Sequence, residues 1–445
     1  MKISVIGTGY VGLVSGACLA AKGHEVTCVD VDQAKVDMIN QGRSPIYENG
    51  LDELLRAQLG TRLTASTDLA GAVVATDLSL IAVGTPFNGR EIDLGFIREV
   101  ARQIGAALRR KPGYHVVVVK STVVPGTTDG VVRPILEEAS GRQAGRDFGV
   151  GMNPEFLTEG EAVGDFMNPD RIVIGGIDAR TLDAQAELYA GFSNVPVIRT
   201  NNATAEMIKY TANSLLATAI SFSNEIANLC TRIGGIDVVD VMAGVHASRY
   251  LTAEGKDGGH YRPGIVSFLD AGCGFGGSCL PKDVSALAVH GSQAGTPMPL
   301  LEAVLRVNQG RPAQLIELLK KHHPQLEGLR VALLGLAFRP DTNDMRESPA
   351  IPVARGLVAE GARVKAYDPA AMDEARRILA GLPIEYAASL AAVVRDVDAI
   401  ILVTRWDEFL GLPALLQKLP SQPVVVDGRR MLPKHAVARY EGIGL

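Results

Sequence analysis

An α/β fold is expected: two Rossmann-like, doubly wound parallel-sheet domains joined by a long central helix. Three observations predict it. Short apolar runs ending at glycine or acidic turns alternate with helical stretches, once from the N-terminus and again from Leu329. Such alternation builds parallel sheets with crossover helices. The first apolar run leads straight into a G-x-G-x-x-G turn. Between the two α/β regions lies Asn202 to Ile233, a stretch with no strong helix breaker. Boundaries are placed at 1–199, 200–312 and 313–445.

KISVIG reads as a buried strand, and GTGYVG follows with Gly7, Gly9 and Gly12 in fingerprint spacing. A helix of small residues runs to Ala21, Lys22-Gly23 stops it, and HEVTCVD forms a second strand ending at Asp30. This is the dinucleotide-binding βαβ unit in its required context. Gly7 permits the tight turn, Gly9 lets a pyrophosphate approach the helix N-terminus, and Gly12 lets helix and strand pack closely. Asp30 would accept hydrogen bonds from ribose hydroxyls and repel a 2′-phosphate, which favours NAD over NADP. Reading MKISVIGTGYVGLVSGACLAA as a leader peptide would cut through this unit, so the segment is expected to belong to the fold.

LSLIAVGTP and YHVVVVKSTVVPGTT are the next strands, with Thr85 and Thr122 at their ends. FGVGMNPEFLTEG supplies a further turn carrying Glu155 and Glu159. Ligands of open parallel sheets bind outside the carboxyl ends of strands, so these residues form the rim of one candidate site. Asn202 can cap the long helix and Gly234-Gly235 stops it. Its length, roughly 45 to 50 Å, exceeds one domain and suits a bridge or a dimer surface. Lys209 and Asn213, spaced i, i+4, share one face. The region 249–270 looks irregular, with GKDGGH as a loop.

The glycine-rich AGCGFGGSCLPKDV follows. Side chains are stripped away around Cys279, and a Lys-Asp pair lies just beyond it. Cys273, Cys18, Cys28 and Cys230 read as packing residues. The second α/β region comprises LRVALLGLAF, ARVKAYDP ending near Asp368, DAIILVT and PVVVDGRR. It has one glycine where the first has three, which argues against a second NAD site. Arg339, Arg346 and Arg429 lie in or near its strand-end loops, where guanidinium forks suit phosphates.

Composition narrows the classes. The chain has 445 residues, is 47% hydrophobic and carries a formal charge of −5. That disfavours a nucleic-acid binder or a polybasic membrane protein. Five scattered cysteines without C-x-x-C suggest neither a disulfide framework nor a metal site, and a reducing cytoplasm is the simplest setting.

GTGYVG, VGTP, KSTVVPGTT, NPEFLTEG, AEMIKYTANS, GFGGSCLPKD, FRPDTNDMRES and DGRR occur in this order over nearly the whole chain. In this the chain resembles the UDP-glucose/GDP-mannose dehydrogenase family. The resemblance implies a four-electron oxidation of a sugar C6 alcohol to a carboxylate, with two NAD⁺ used in turn at one site. UDP-glucose is the expected substrate, with GDP-mannose and UDP-N-acetylhexosamines as alternatives, and a homodimer through the long helix is the expected assembly. By matching motif, Cys279 would be the nucleophile, Lys209, Asn213 and Asp283 its polar partners, and Thr122 and Glu155 the strand-end catalytic residues. NAD would be held by Gly7, Gly9, Tyr10, Val11, Gly12, Asp30, Lys35, Thr85, Thr122, Glu159 and Arg346. The sugar nucleotide would meet Glu155, Phe156, Leu157, Lys209, Asn213, Arg262, Phe268, Leu269, Gly276, Phe338, Arg339 and Arg429.

The chemistry accounts for the residue types. An aldehyde cannot lose a second hydride until a nucleophile adds to its carbonyl. A thiolate does so, giving a thiohemiacetal, then a thioester that water cleaves. A free thiol ionises only partly at neutral pH unless a cation or helix N-terminus helps. Lys209 would supply that help and stabilise the oxyanion, and Glu155 would act as base in the hydrolysis. The segment SRYLTAEGKDGGHYRPGIVSFLDAG departs from the family pattern around Arg262, which leaves the sugar and the role of Arg262 open. Two other classes also stay open: a two-electron β-hydroxyacid dehydrogenase, which has no use for the thiol, and a non-catalytic nucleotide-binding protein on the same fold.

Overall fold

A computed structural model describes residues 1–255 and 259–445. Lys256, Asp257 and Gly258, the centre of the GKDGGH loop reading, lie outside the described residues. The chain divides into two compact units, Met1–Ala212 and Asn213–Leu445, and the division falls inside the long helix.

The first unit is built on eight strands: β1 (Lys2–Ile6), β2 (Glu25–Val29), β3 (Leu63–Ser66), β4 (Leu78–Ile81), β5 (Val116–Val119), β6 (Gly149–Met152), β7 (Ile172–Gly176) and β8 (Val197–Thr200). Their order is β3-β2-β1-β4-β5-β6-β7-β8. β4 (LSLI) and β5 (VVVV) are buried at every residue, as expected of strands covered on both faces. Alternation along β1 divides the core: Ile3 and Val5 join one apolar cluster and Ile6 the other. Each fully buried aliphatic side chain of this kind contributes roughly 1.5–3 kcal/mol.

The sheet is not wholly parallel. β7 pairs antiparallel with β6, and β8 follows β7 in parallel. The chain leaving β6 re-enters the sheet from the same edge, so residues 153–171 stay at the carboxyl end of β6. A parallel partner would have required a crossover to the opposite edge. The reversal therefore keeps the NPEFLTEG turn at the end of the sheet where a strand-end site forms.

The long helix runs Asn202–Ile233, 32 residues. Its cap is Asn201, one residue earlier than the sequence reading placed it. Asn201 Oδ1 accepts the Thr204 amide at 2.8 Å, the bond an N-cap makes to the third helical residue. Asn202 is already helical, and its side-chain amide donates to Asp129 Oδ1 at 2.7 Å.

The second unit holds a short antiparallel ribbon, β9 (Ala253–Glu254) with β10 (His260–Tyr261), followed by a 3-10 turn at Gly264–Phe268. Its main sheet has six strands: β11 (Arg330–Leu334), β12 (Arg363–Tyr367), β13 (Ile384–Tyr386), β14 (Ala399–Leu402), β15 (Val424–Asp427) and β16 (Tyr440–Gly442). The order β13-β12-β11-β14-β15-β16 is parallel throughout. This is the doubly wound order of a dinucleotide-binding fold. Val331 and Leu333 face one cluster, Ala332 and Leu334 the other. Among the described residues no helix is long and apolar enough to cross a membrane.

Candidate active site

In the first unit the G-x-G-x-x-G turn has the expected steric logic. Gly7 has φ +100°, and a Cβ there would stand 2.6 Å from the Ala82 carbonyl oxygen. A Cβ on Gly12 would stand 1.9 Å from the Gly7 carbonyl oxygen. Gly9 meets nothing within 4 Å, so the backbone is open at the N-terminus of the helix Tyr10–Ala21. Val11 packs against the core from that helix, and the Tyr10 hydroxyl donates to the Tyr47 carbonyl. Lys35 lies in the first turn of the next helix, whose cap is Asp32.

Asp30 follows β2 directly. Its Oδ2 accepts from Thr8 N at 2.9 Å and from the Thr8 hydroxyl, and its Oδ1 accepts from Asp32 N at 3.0 Å. Burial works against its charge, but these hydrogen bonds prevail and hold the carboxyl below the usual range. An open glycine at a helix N-terminus beside a fixed carboxylate fits the pyrophosphate and ribose of NAD. Replacing Asp30 with alanine is expected to weaken NAD about tenfold, roughly one charge-assisted hydrogen bond, while leaving UDP binding unchanged. Calorimetric titration with each ligand checks this; an unaltered NAD affinity would remove Asp30 from the cofactor site.

The ends of β4, β5 and β6 carry a second cluster. The Thr85 hydroxyl donates to the Thr122 carbonyl at 2.8 Å, linking two adjacent strand ends. Beyond β6, Glu155 is buried and forms an ion pair with Lys209 of the long helix, Nζ to Oε1 3.0 Å, with both side chains at most 6% exposed. The Leu157 amide donates to Glu155 Oε2 at 2.7 Å, and the Lys209 ammonium lies 5.5 Å from the Phe156 ring centroid. Burial opposes the Glu155 charge, yet Lys209, the Leu157 amide and Lys120 together keep the carboxyl below its ordinary range. Glu159 is half-buried in the following turn, next to Gly160, whose amide is held by Glu48 at 2.8 Å.

The second unit carries the thiol. Cys279 is the N-cap of the helix Leu280–Gln293 and is partly exposed. Negative charge is favoured at that position by the helix dipole. The Ser278 hydroxyl lies 3.6 Å from its sulfur. One turn on, Asp283 is 1% exposed; its Oδ2 accepts from Asn213 Nδ2 at 2.6 Å and its Oδ1 from Lys282 Nζ at 2.5 Å. The glycines before the thiol are needed for close approach. A Cβ on Gly276 would stand 2.3 Å from the Glu347 carbonyl oxygen, and one on Gly277, at φ +82°, would strike the Phe338 ring. Gly277 N also donates to the Arg346 carbonyl at 2.9 Å, so the thiol loop is moored to the FRPDTNDMRES turn.

Arg429 fixes the same loop from another strand end. Its Nη1 donates to the Gly274 carbonyl at 2.9 Å and its Nε to Val403 at 2.6 Å. Arg346 pairs with Asp344 through two nitrogens, at 2.9 and 2.6 Å to Oδ2. Arg339 is half-buried beside Phe338. Arg262 is exposed just after β10, while Phe268 and Leu269 close the 3-10 turn and the Leu269 carbonyl contacts His246 Nε2 at 3.3 Å. Asp368, which occupies the position of Asp30 in this second sheet, is fully buried. It accepts from the amides of Leu336, Ala337, Ala370 and Ala371 and from the Trp406 indole. Those five donors occupy the carboxylate that would otherwise receive a ribose.

Sequence reasoning passed over several residues that shape these clusters. Lys120 and Asn153 are buried beside Glu155, and the signal was a lysine closing an otherwise apolar VVVVK strand. Asn308 clamps Phe275, its Oδ1 accepting from the amide at 2.8 Å and its Nδ2 donating to the carbonyl at 3.0 Å. Arg311 is fully buried and donates through Nε to the Gly272 carbonyl at 2.9 Å. Nothing in their spacing singled out the last two.

A Rossmann unit with a fitted NAD turn, and a second unit carrying a partly exposed thiol at a helix N-terminus, define an NAD-dependent oxidoreductase. Models of three domains match in succession: the NAD binding domain over residues 1–193, the central domain over 203–310 and the UDP binding domain over 332–434. The chain belongs to the UDP-glucose/GDP-mannose dehydrogenase family. It is 44% identical over 434 residues to the UDP-glucose 6-dehydrogenase TuaD of Bacillus subtilis, covering 97% of this chain and 89% of that one. It is 40% identical over 460 residues to the GDP-mannose 6-dehydrogenase of Pseudomonas aeruginosa, covering 100% of both. The structure of a UDP-glucose dehydrogenase from Pyrobaculum islandicum superposes with a TM-score of 0.89 at 39% identity, covering 99% of this chain and 97% of that one. The protein is therefore an NAD-dependent nucleotide-sugar dehydrogenase.

Proposed function

We propose that the substrate is UDP-glucose and the product UDP-glucuronate, formed through a covalent bond to Cys279. The observation that carries the covalent step is the place of the thiol: Cys279 stands at the N-cap position of a helix, stays partly exposed, and sits at the end of a glycine loop that admits no side chain at Gly276. The identity to the Bacillus UDP-glucose enzyme supports the sugar. When bound, NAD supplies the acceptor for both oxidations.

The chain's own groups do the rest. Asp30 and the open backbone at Gly9 hold the cofactor. Cys279 loses its proton and its sulfur adds to the C6 aldehyde; the C–S bond forms as the C=O π bond opens, leaving a tetrahedral carbon that keeps its C–H bond beside an oxyanion. Lys209 stabilises that oxyanion. After the thiohemiacetal is oxidised to a thioester, Glu155 takes a proton from the attacking water, and the thiolate departs as the carboxylate forms. Asn213 holds Asp283 in place, and Arg429 and Arg339 receive the diphosphate. Residues 1–199 then serve the dinucleotide, 200–312 supply the long helix and thiol, and 313–445 serve the sugar nucleotide.

Leu215, Phe222 and Leu229 recur every seven residues on the long helix and are 51–59% exposed, which supports a homodimer formed through that helix. The five free thiols support a reducing cytoplasm. A panel of nucleotide sugars, scored by NADH formed per sugar consumed, tests the reading. UDP-glucose should turn over fastest and yield two NADH. One NADH with an aldehyde product would favour a two-electron dehydrogenase, and faster turnover of GDP-mannose would overturn the sugar assignment.

A further inference from the structure

Lys120 is a buried cation that the mechanism above leaves without a task. It follows β5, is 3% exposed, and donates from Nζ to Asn153 Oδ1 at 3.0 Å. Asn153 is itself fixed: its Nδ2 donates to the Val173 carbonyl at 2.8 Å, and its Oδ1 also receives the Tyr189 hydroxyl. The Lys120 ammonium lies 5.8 Å from the Phe166 ring centroid, so its other near surface is aromatic. Its charged neighbours are Glu155 and Lys209, and the Tyr189 hydroxyl reaches the cluster through Asn153. Asn153 stands two residues before Glu155, so one short turn carries both the anchor of Lys120 and the carboxylate.

A lone surface lysine would not need this housing. Burying an ammonium is costly unless hydrogen bonds and an opposite charge compensate. Burial pulls the Lys120 ammonium down to about 8, Glu155 pulls it back up, and Lys209 pushes it down further. The three groups are therefore electrically linked.

We propose that Lys120 is a positioning residue of the reaction: anchored by Asn153, its charge holds the Glu155 carboxylate ready to act as base. This rests on the role given above to Glu155. The sign of the effect is fixed. Without Lys120, Glu155 loses a favourable cation and ionises only at higher pH. The acidic limb of the pH–rate profile should move upward. Structural loosening would lower the profile without translating it.

The test compares acid formation by wild type, Lys120→Gln and Lys120→Arg across the pH range, at saturating UDP-glucose and NAD. Lys120→Gln should shift the acidic limb of kcat upward by about one pH unit, with KM for UDP-glucose little changed, and Lys120→Arg should return it. An acidic limb that stays in place in Lys120→Gln overturns the proposal. If that variant does not fold, Asn153→Ser, which loosens the anchor and keeps the charge, should give a smaller shift of the same sign, and an unmoved limb there overturns it equally. Glu155→Gln separates the two levels. If it keeps the wild-type rate and the acidic limb, the role given to Glu155 is wrong; if it loses the acidic limb while Lys120→Gln leaves that limb unmoved, only the role of Lys120 fails.

Discussion

Cys279→Ser should reduce acid formation by roughly a thousandfold or more, the scale seen when a covalent nucleophile is removed, while Cys273→Ser should keep its turnover within a few-fold. The two thiols stand six residues apart in one loop and differ in every respect that matters. Cys279 is partly exposed at a helix N-terminus. Cys273 is fully buried in the apolar core and its thiol contacts the Val403 carbonyl at 3.4 Å; burial pushes it up despite the opposing Arg429 and Arg311 guanidiniums. Serine at 273 exchanges a soft apolar group for a hydroxyl in the same space, a cost of about 1 kcal/mol visible in denaturant melts. Cys18 and Cys28 are pushed up to about 12, chiefly by burial, so gentle alkylation at neutral pH should label Cys279 first. Equal losses in both serine variants would mean that the wrong sulfur has been chosen.

Glu155→Gln should be among the most destabilising single changes in the first unit. It removes the 3.0 Å partner of Lys209 and the carboxylate that offsets Lys120, leaving two ammonium groups in one buried cluster. Breaking a buried pair in this way costs ~3–5 kcal/mol. The pH dependence follows from the lysines. A lysine whose folded-state pKa lies below its unfolded value binds fewer protons when folded, so stability rises with pH between the two values. Lys120 already sits at about 8, and losing Glu155 lowers it further. The part of the deficit that Lys120 carries should therefore be largest at low pH, shrink as pH rises towards 8 and be gone above it, because the unfolded lysine value cancels between the two proteins. Urea melts of both proteins at neutral and alkaline pH measure this. A deficit that stays constant with pH would mean that Lys120 is not part of the cluster's charge balance.

The legible parts of the molecule were those whose chemistry is local. Gly7, Gly9, Gly12 and Asp30 lie within one βαβ unit, and the constraints on the glycines are those that the spacing implied: closed at Gly7 and Gly12, open at Gly9. The long helix runs between the residues expected from its lack of breakers. Its cap shifted by one residue because Asn201 and Asn202 have the same side chain and only backbone geometry chooses between them. The reversal at β7 was not readable, because strand direction depends on which edge of the sheet the chain re-enters. Lys120 was not selected because its partners, Asn153, Glu155 and Lys209, are distant in sequence. Arg429 was chosen for its suitability to phosphate; that two of its nitrogens hold backbone carbonyls of Gly274 and Val403 is purely tertiary information.

The covalent step is tested most directly by trapping it. Wild-type protein turning over UDP-glucose and NAD⁺ is quenched in acid, digested, and its peptides weighed. The account predicts a peptide containing Cys279 that carries the added mass of the sugar nucleotide acyl group, lost on treatment with hydroxylamine as a thioester should be. UDP-glucuronate accumulating while the Cys279 peptide stays unmodified at every quench time, with alkylation of Cys279 leaving the rate intact, would contradict it.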